Sequence, residues 1–174
     1  LTSKSGVEVS ESAPHFSTID AVRSAIGQGS HSYAPIQLSR FVTTLANKGT
    51  CYDLTLIKKV STMKGKTILE KKAKVKNKVS LSESTWSAVR HGMYLVVNGS
   101  ESHVKPYFVG EKYVVAGKTG TAQQNTMHPN HGEFVSYAPY NNPKISVTCV
   151  IPNGYTSTNA ASTASDVYKF YFSN

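Results

Sequence analysis

Apolar residues recur at intervals of three and four in three stretches of the chain, a spacing typical of helices that pack one face on a core. The first predicted helix begins at Pro35, and the second begins at Ser82 or Ser84 and ends at Gly99. The apolar face of the first is Leu38, Phe41, Val42 and Leu45. That of the second is Trp86, Val89, Met93, Val96 and Val97. That of the third, near the C-terminus, is Ala164, Val167, Tyr168 and Tyr171.

Strand patterns fill the region between the second and third helices. The clearest is Ile145–Ile151, where apolar and polar residues alternate. Residues 112–124 and 134–138 predict two further strands, and residues 1–19, which are rich in Ser and Thr, predict a loop. The order of helix, hairpin, helix, three strands and helix predicts an α+β fold, with helices packed on an antiparallel sheet.

The positive charge is concentrated in a predicted hairpin at residues 54–78. The chain carries a net charge of +9. Nine of its basic residues lie between Lys58 and Lys78, with Glu70 as the one acid. Strands are predicted at residues 54–60 and 67–69, on either side of a turn. Lysine commonly protects exposed strand edges, so a solvated hairpin is the simplest interpretation, with anionic lipid or wall polymer as alternative partners. Nucleic acid is disfavoured, because the segment lacks aromatic residues and Arg.

Length and composition predict one domain or a large part of one. The chain has 174 residues, of which 39% are hydrophobic, and it has no apolar run of the roughly 20 residues that a membrane span requires. It opens with Leu1 rather than Met, so we interpret it as part of a longer protein. Cys51 and Cys149 are too few for a disulfide-rich scaffold, and they are either two thiols or one bridge. His128 and His131 fit a solvated loop better than a metal site.

The segment Lys118-Thr119-Gly120-Thr121 combines chemistry suited to an anionic substrate, and it lies within the strand predicted at residues 112–124. Lys118 supplies a cation, and the hydroxyls of Thr119 and Thr121 share one side of a strand because side chains alternate. Gly120 leaves room for a close approach, while the backbone N–H groups can bind an oxyanion. A phosphate-binding loop is a poor alternative, because the preceding glycine has the wrong spacing and the intervening residues favour a strand.

This segment and several others resemble the transpeptidase domain of class B penicillin-binding proteins, whose fold is shared with β-lactamases. The resemblance runs in order from about residue 20 to 172 and covers the last third of such a domain. The segments that carry it are Ala25–Gly29, Pro35–Leu38, Gly92–Gly99, Ala116–Gln123, Phe134–Pro139 and Asn142–Lys144. Features at Met93–Val97 and Tyr137–Tyr140 are closer to elongation-type than to division-type enzymes.

The resemblance implies a serine D,D-transpeptidase that cross-links peptidoglycan stem peptides ending in D-Ala-D-Ala and binds β-lactam antibiotics. Lys118 would hold positive charge beside the substrate carboxylate, Thr119 and Thr121 would hydrogen-bond to that carboxylate, and the Thr121 N–H would form half of the oxyanion hole beside Gly120. No metal or organic cofactor is implied. The longer protein would be anchored by an N-terminal helix, with this region on the extracytoplasmic face of the membrane and other wall-synthesis proteins as partners.

The family also needs a Ser-x-x-Lys nucleophile motif and a Ser-x-Asn motif. Ser61–Lys64 and Ser102–Lys105 match the first, and Ser157–Asn159 matches the second. We reject all three, because a chain this rich in Ser and Lys contains such matches by chance. In addition, the nucleophile and its base must lie one turn apart on a rigid helix. We therefore expect the nucleophile to lie upstream of Leu1 and this chain to be inactive alone. The alternative is a non-catalytic module that binds wall polymer or anionic lipid through residues 54–78.

Overall fold

A computed structural model describes residues 17–25, 28, 33–123 and 127–173. Its four α-helices are α1 (Thr18–Ala25), α2 (Pro35–Ala46), α3 (Glu83–Asn98) and α4 (Ser157–Ser173), with a short 3-10 helix at Lys105–Tyr107. Its strands are β1 (Thr50–Tyr52), β2 (Lys59–Ser61), β3 (Thr67–Glu70), β4 (Val75–Lys78), β5 (Ala116–Ala122), β6 (His131–Ala138) and β7 (Ile145–Ile151). Within these described ranges, no helix is both long and apolar enough to cross a membrane.

The centre of the fold is an antiparallel sheet of three strands in the order β5-β6-β7. Ala116 pairs with Tyr137 at one end of the β5–β6 ladder and Ala122 with His131 at the other. The second ladder runs without a register shift from Gly132 opposite Ile151 to Ala138 opposite Ile145. The predicted α+β class and antiparallel sheet are confirmed.

Helices cover both faces of this sheet. Successive side chains of β6 point to opposite faces, so the strand contributes to the core on each side. Phe134 and Ala138 point towards α4, whereas Val135 and Tyr137 point towards α2 and α3. The core on the α4 side is Val97, Val104, Phe108, Tyr113, Val115, Phe134, Ala138, Ala160, Ala161, Ala164 and Tyr168. The core on the other side is Val42, Ala46, Met93, Ala116 and Tyr137. The sheet is therefore held rigidly between two packed layers.

The predicted helices are confirmed, but their buried faces differ in part from the prediction. Ser82 caps α3 by accepting a hydrogen bond from the Thr85 N–H at 3.1 Å. On α4, Val167 and Tyr171 are 42% and 46% exposed, and the helix instead buries mainly small residues. The buried residues of α4 are Ala160, Ala161, Ala164, Ser165 and Tyr168. A helix that lies close to a sheet buries small side chains, which a pattern of large apolar residues does not reveal.

The strand predictions erred mainly at element boundaries. β5 begins at Ala116 rather than at residue 112, because Tyr113 turns out of the sheet and stacks on Phe172 with ring centroids 4.3 Å apart. β6 begins at His131, three residues before the strand predicted at residues 134–138. The predicted N-terminal loop also extended too far, since α1 begins at Thr18, while residues 1–16 lie outside the described part of the chain.

Residues 54–78, which we call the basic arm, contain a β2–β3 hairpin that is separate from the central sheet. β2 and β3 pair around a turn at Gly65, as predicted, but residues 54–58 are not a strand. The sequence did not predict that β4 pairs with β1 at the base of the arm. Strands of three and four residues are too short to leave a clear alternating pattern.

Candidate active site

Lys118-Thr119-Gly120-Thr121 lies on β5, one of the two outer strands of the three-stranded sheet. β6 pairs with one edge of β5, with Lys118 opposite Val135 and Thr121 opposite Gly132. The other edge has no strand partner among the described residues. Lys118 and Thr121 are exposed, and Thr119 and Gly120 are half-buried. The segment therefore forms an accessible wall, neither buried under side chains nor part of a helix.

Lys118 presents a positive charge that no described carboxylate neutralises. Its Nζ donates a hydrogen bond of 2.6 Å to the backbone carbonyl of Thr119, which is a neutral acceptor. The salt bridges of the described residues involve Lys48 and Lys74 instead. Because its hydrogen-bond partner is uncharged, the Lys118 ammonium keeps its full positive charge and can attract an anionic substrate group.

Two glycines in β5 allow the strand to lie close to β6. A Cβ atom at Gly117 would lie 2.6 Å from Cζ of the fully buried Phe134 and 2.9 Å from the Val135 carbonyl oxygen. A Cβ atom at Gly120 would lie 2.9 Å from Glu133 Oε2, the end of a flexible side chain. A larger residue at position 117 would therefore clash with the core and the backbone. At position 120 it would mainly meet the Glu133 side chain, which can move.

Gln28 contacts the candidate strand, although sequence reasoning gave it no role. Its Nε2 donates to the Thr121 carbonyl oxygen at 2.9 Å, across 93 residues of sequence. Gln28 lay inside one of the segments that carried the family resemblance, which was the only available signal. The contact reaches the same residue whose N–H is implied as an oxyanion donor.

Asn98 links α3 to the start of β5. Its Nδ2 donates to the carbonyl oxygens of Tyr94 and Val115, each at 2.9 Å. The first bond stays within α3, and the second reaches the residue just before the strand. The sequence placed Asn98 at the helix end and within the resembling segment Gly92–Gly99, but it did not predict this contact, because a bond between distant residues leaves no local pattern.

Arg90 links α3 to the C-terminal end of β6 and the residues that follow it. Its Nε donates to the Tyr137 hydroxyl at 3.1 Å, and its Nη2 donates to the Tyr140 carbonyl oxygen. The guanidinium carbon lies 5.6 Å from the centroid of the Tyr137 ring and 5.3 Å from that of Tyr140, within the range of cation–π attraction. Burial raises the pKa of Tyr137, and the hydrogen bond from Arg90 acts in the opposite direction.

A cleft of about 550 Å³ lies beside β5, with Thr119 in its wall. The end of α3 and the following loop form one side, and the start of α4 forms the other. The residues that line it are Gly92, Leu95, Val96, Gly99, Ser100, Glu101, Ser102, His103, Val104, Thr119, Ser157 and Thr158. The candidate strand thus borders a space large enough for part of a peptide.

The three motif matches that we rejected lie at the end of β2 and the following turn, at the start of the 3-10 helix, and at the start of α4. Ser61 ends β2 and Lys64 lies in the turn, so this pair is not on a helix. The Ser102 hydroxyl donates to the Val96 carbonyl oxygen at 2.6 Å and accepts from the Lys105 N–H at 3.1 Å, which makes it a helix-end cap. Asn159 donates to the Gly154 carbonyl oxygen at 2.9 Å. The Ser102 hydroxyl and the Asn159 amide therefore bind the local backbone.

Histidines and cysteines contribute no candidate metal centre in the described ranges, where no three His, Cys, Asp or Glu side chains are grouped for an ion. His131 Nδ1 accepts a hydrogen bond of 3.0 Å from the Asn153 N–H. Cys51 and Cys149 are free thiols, and Cys51 is buried. Burial raises the pKa of the Cys149 thiol, and a hydrogen bond with Thr163 opposes that shift.

The fold and the cationic outer strand together define a transpeptidase domain of the penicillin-binding kind. Residues 3–169 match the penicillin binding protein transpeptidase domain family, and the chain belongs to that family. It is 32% identical over 169 residues to the peptidoglycan D,D-transpeptidase MrdA of Haemophilus influenzae, covering 87% of this chain and 26% of that protein. The likeness to MrdA fits the elongation type expected from the sequence.

Solved structures agree with this assignment. PBP2 of Pseudomonas aeruginosa in complex with WCK 5153 is 32% identical, with a TM-score of 0.72 over 87% of this chain and 33% of that one. Penicillin-binding protein 2B of Streptococcus pneumoniae is 28% identical, with a TM-score of 0.78 over 91% of this chain and 28% of that one. The chain spans about a quarter of the length of the curated relatives it matches, 26% and 25% for the first two.

Proposed function

We propose that this chain forms the carboxylate-binding wall of a peptidoglycan D,D-transpeptidase active site. The observation that carries the proposal is the placement of Lys118, Thr119, Gly120 and Thr121 on an accessible outer strand whose second edge is unpaired in the described structure. An extended peptide can align with such an edge through backbone hydrogen bonds. The substrate is the D-Ala-D-Ala end of a stem peptide, and β-lactam antibiotics take its place.

Lys118 and the two threonines act on the terminal carboxylate of this substrate. The ammonium group of Lys118 is bonded to a neutral carbonyl, so its charge attracts the carboxylate, to which the hydroxyls of Thr119 and Thr121 donate hydrogen bonds. The Thr121 N–H stabilises the oxyanion that forms when the penultimate D-Ala carbonyl is attacked. These groups bind and orient the substrate, and no metal or organic cofactor takes part.

The attacking serine and its lysine base lie outside this chain. Neither Ser-x-x-Lys match has its two residues on a regular α-helix, and the Ser102 hydroxyl is engaged by the backbone. Relatives are about four times longer than this chain, so they have room for the missing part of the domain. The 174-residue chain alone is therefore expected to be inactive. The complete protein acts on the extracytoplasmic face of the membrane, held by an N-terminal helix and with other wall-synthesis proteins as partners.

Covalent labelling with fluorescent penicillin tests the proposal on the longer protein. Lys118→Ala is expected to lower the labelling rate by about 10- to 100-fold, the loss typical for a hydrogen bond between charged groups such as an ammonium and a carboxylate. Lys112→Ala is the matched control, because Lys112 is also exposed and lies in the turn before β5. It is expected to label at the rate of the unaltered protein.

The same experiment can contradict each part of the proposal. Equal labelling of the Lys118→Ala and unaltered proteins would remove the role of Lys118. Labelling of the 174-residue chain alone at Ser61 would show that the nucleophile lies within it. A longer protein that takes up no label would favour the non-catalytic alternative.

A further inference from the structure

The basic arm, residues 54–78, is a surface that nothing in the described structure covers. Every residue from 53 to 85 is exposed, so both faces of the β2–β3 ladder are open to solvent. Val60 pairs with Leu69 on one face, and Lys59 pairs with Glu70 on the other. An arm of this kind adds little to the domain core, which raises the question of what its surface contacts.

The lysines of the arm are almost free of internal partners. Between Lys58 and Lys78 the chain has nine lysines and one acid. In the described residues, Lys74 is the one lysine of this group in an ion pair, with Asp53 at 3.9 Å. The concentrated positive charge is thus available to a negatively charged partner outside the domain.

Exposed apolar side chains are mixed with these lysines. Met63 stands at the turn and is fully exposed, and Ile68 is 66% exposed on the strand that follows. The other large apolar side chains of the arm with substantial exposure are Leu54, Leu56, Ile57, Val60, Leu69 and Val75. A soluble polyanion would gain nothing from these apolar groups, whereas a lipid surface offers both anionic headgroups and an apolar interior.

We propose that the basic arm docks on the surface of a membrane that contains anionic phospholipids. The lysine ammonium groups bind the headgroup phosphates, while Met63 and Ile68 insert into the boundary between headgroups and acyl chains. The positive φ of Gly65, 81°, shapes the turn that presents Met63, Lys64 and Lys66 together. The proposal is independent of catalysis, because no residue of the β5 site belongs to the arm.

The expected affinity of the basic arm for an anionic membrane depends mainly on its lysine charges. Each basic residue near an anionic membrane surface contributes about a fivefold gain in affinity, and salt weakens this gain. Replacing two lysines by glutamate removes two attractions and adds two repulsions, so binding is expected to fall by at least about 25-fold. Replacing Met63 and Ile68 by serine removes the inserted apolar area and is expected to weaken binding by about three- to tenfold.

Sedimentation of the 174-residue chain with lipid vesicles tests the proposal. One set of vesicles mixes phosphatidylglycerol with phosphatidylcholine, and the other is phosphatidylcholine alone. Lys64→Glu/Lys66→Glu and Met63→Ser/Ile68→Ser are the test variants. Lys112→Glu/Lys144→Glu is the control, with the same change in charge at exposed lysines outside the arm. Emission from the buried Trp86 checks that each variant is folded.

Binding to the phosphatidylglycerol vesicles alone, lost at high salt, weakened in both arm variants and retained in the control, is the expected result. Equal weakening by the control would show a response to net charge without a docking site. Unchanged binding of Met63→Ser/Ile68→Ser, together with full displacement by soluble poly(glycerol phosphate), would show that the arm binds a phosphate polymer. Absence of sedimentation with either vesicle would overturn the proposal directly.

Discussion

The central sheet and the basic arm are both built from short antiparallel strands, yet different forces hold them. In the sheet, Phe134 and Tyr137 are fully buried on opposite faces of β6. In the arm, every residue of β2, β3 and β4 is exposed, so these strands rely on backbone pairing and on their attachment to the domain. Backbone hydrogen bonds contribute modest net free energy, and most of the stability of a sheet comes from packing.

The difference shows how the two regions can serve different roles. The β5 wall needs fixed geometry, and it is supported from both faces and by the side chain of Asn98. The arm carries charge on a surface that the core does not constrain. Substitutions should therefore have large effects on folding in the sheet and small ones in the arm, which can be tested from the largest expected effect to the smallest.

The strongest contrast is expected between Phe134→Ala and Ile68→Ala. Phe134 is fully buried and stacks on Phe108 with ring centroids 5.8 Å apart, so its truncation is expected to lower the free energy of unfolding by about 3–5 kcal/mol. Ile68 is largely exposed on β3, so its truncation is expected to change that free energy by less than about 0.5 kcal/mol. Urea unfolding followed through Trp86 measures both, and equal losses would mean that the arm is packed in solution.

The next contrast concerns two glycines. Gly117→Ala is expected to cost about 1–3 kcal/mol, because the new methyl group would meet the Phe134 ring and the Val135 carbonyl oxygen. Gly92→Ala, within α3, meets no atom within 4 Å and is expected to stabilise the protein by up to about 1 kcal/mol. Thermal unfolding of the two variants gives opposite signs if the close approach of β5 to β6 is real. A harmless Gly117→Ala would contradict that geometry.

The sequence predicted those parts of the fold that local periodicity controls. α2, α3 and β7 were predicted almost at their observed limits, because each carries its own apolar pattern and its own start or end signal. The position of Lys118 on a strand was also predictable, since Tyr113–Ala116 introduces a strand-like segment. Tyr113 nevertheless leaves the sheet because its ring stacks on Phe172, a contact that depends on tertiary structure.

The chemistry of the candidate site could be predicted from the sequence, but the contacts that hold its strand in place could not. The types and order of Lys118, Thr119 and Thr121 are sufficient by themselves to indicate anion binding. Gln28 and Asn98 reach β5 through hydrogen bonds between residues distant in sequence, and only folding brings those groups together. The same reason explains why the β1–β4 pair was missed at the base of the arm.

Alkaline pH is expected to weaken the sheet layer through its buried tyrosines. Burial raises the pKa of Tyr168, whose hydroxyl donates to Ser136 at 2.8 Å, so the folded state binds this proton more tightly than the unfolded state does. Stability is therefore fully present below the ordinary tyrosine pKa of 10.0 and falls as the pH rises above it towards the folded value. Each such group can contribute up to about 1.4 kcal/mol per pH unit.

Tyr168→Phe separates the contribution of Tyr168 from those of Tyr113 and Tyr137, whose pKa values are also raised. At neutral pH the variant is expected to lose about 1 kcal/mol, because Ser136 keeps its own bond to the Val147 carbonyl oxygen. Above pH 10 the variant should lose stability less steeply than the unaltered chain. Unfolding free energies measured across this range provide the test, and parallel curves would show that the pKa of Tyr168 is the same in the folded and unfolded states.

The smallest effect is expected at the ion pair of the arm region. Lys74 and Asp53 lie 3.9 Å apart and are well exposed, a setting in which an ion pair contributes between zero and about 0.5 kcal/mol. Asp53→Asn is therefore expected to leave the unfolding midpoint nearly unchanged, with any loss disappearing at high salt. A double-mutant cycle with Lys74→Gln isolates the pair, and a salt-independent coupling above about 1 kcal/mol would show that the base of the arm is less solvated than the structure indicates.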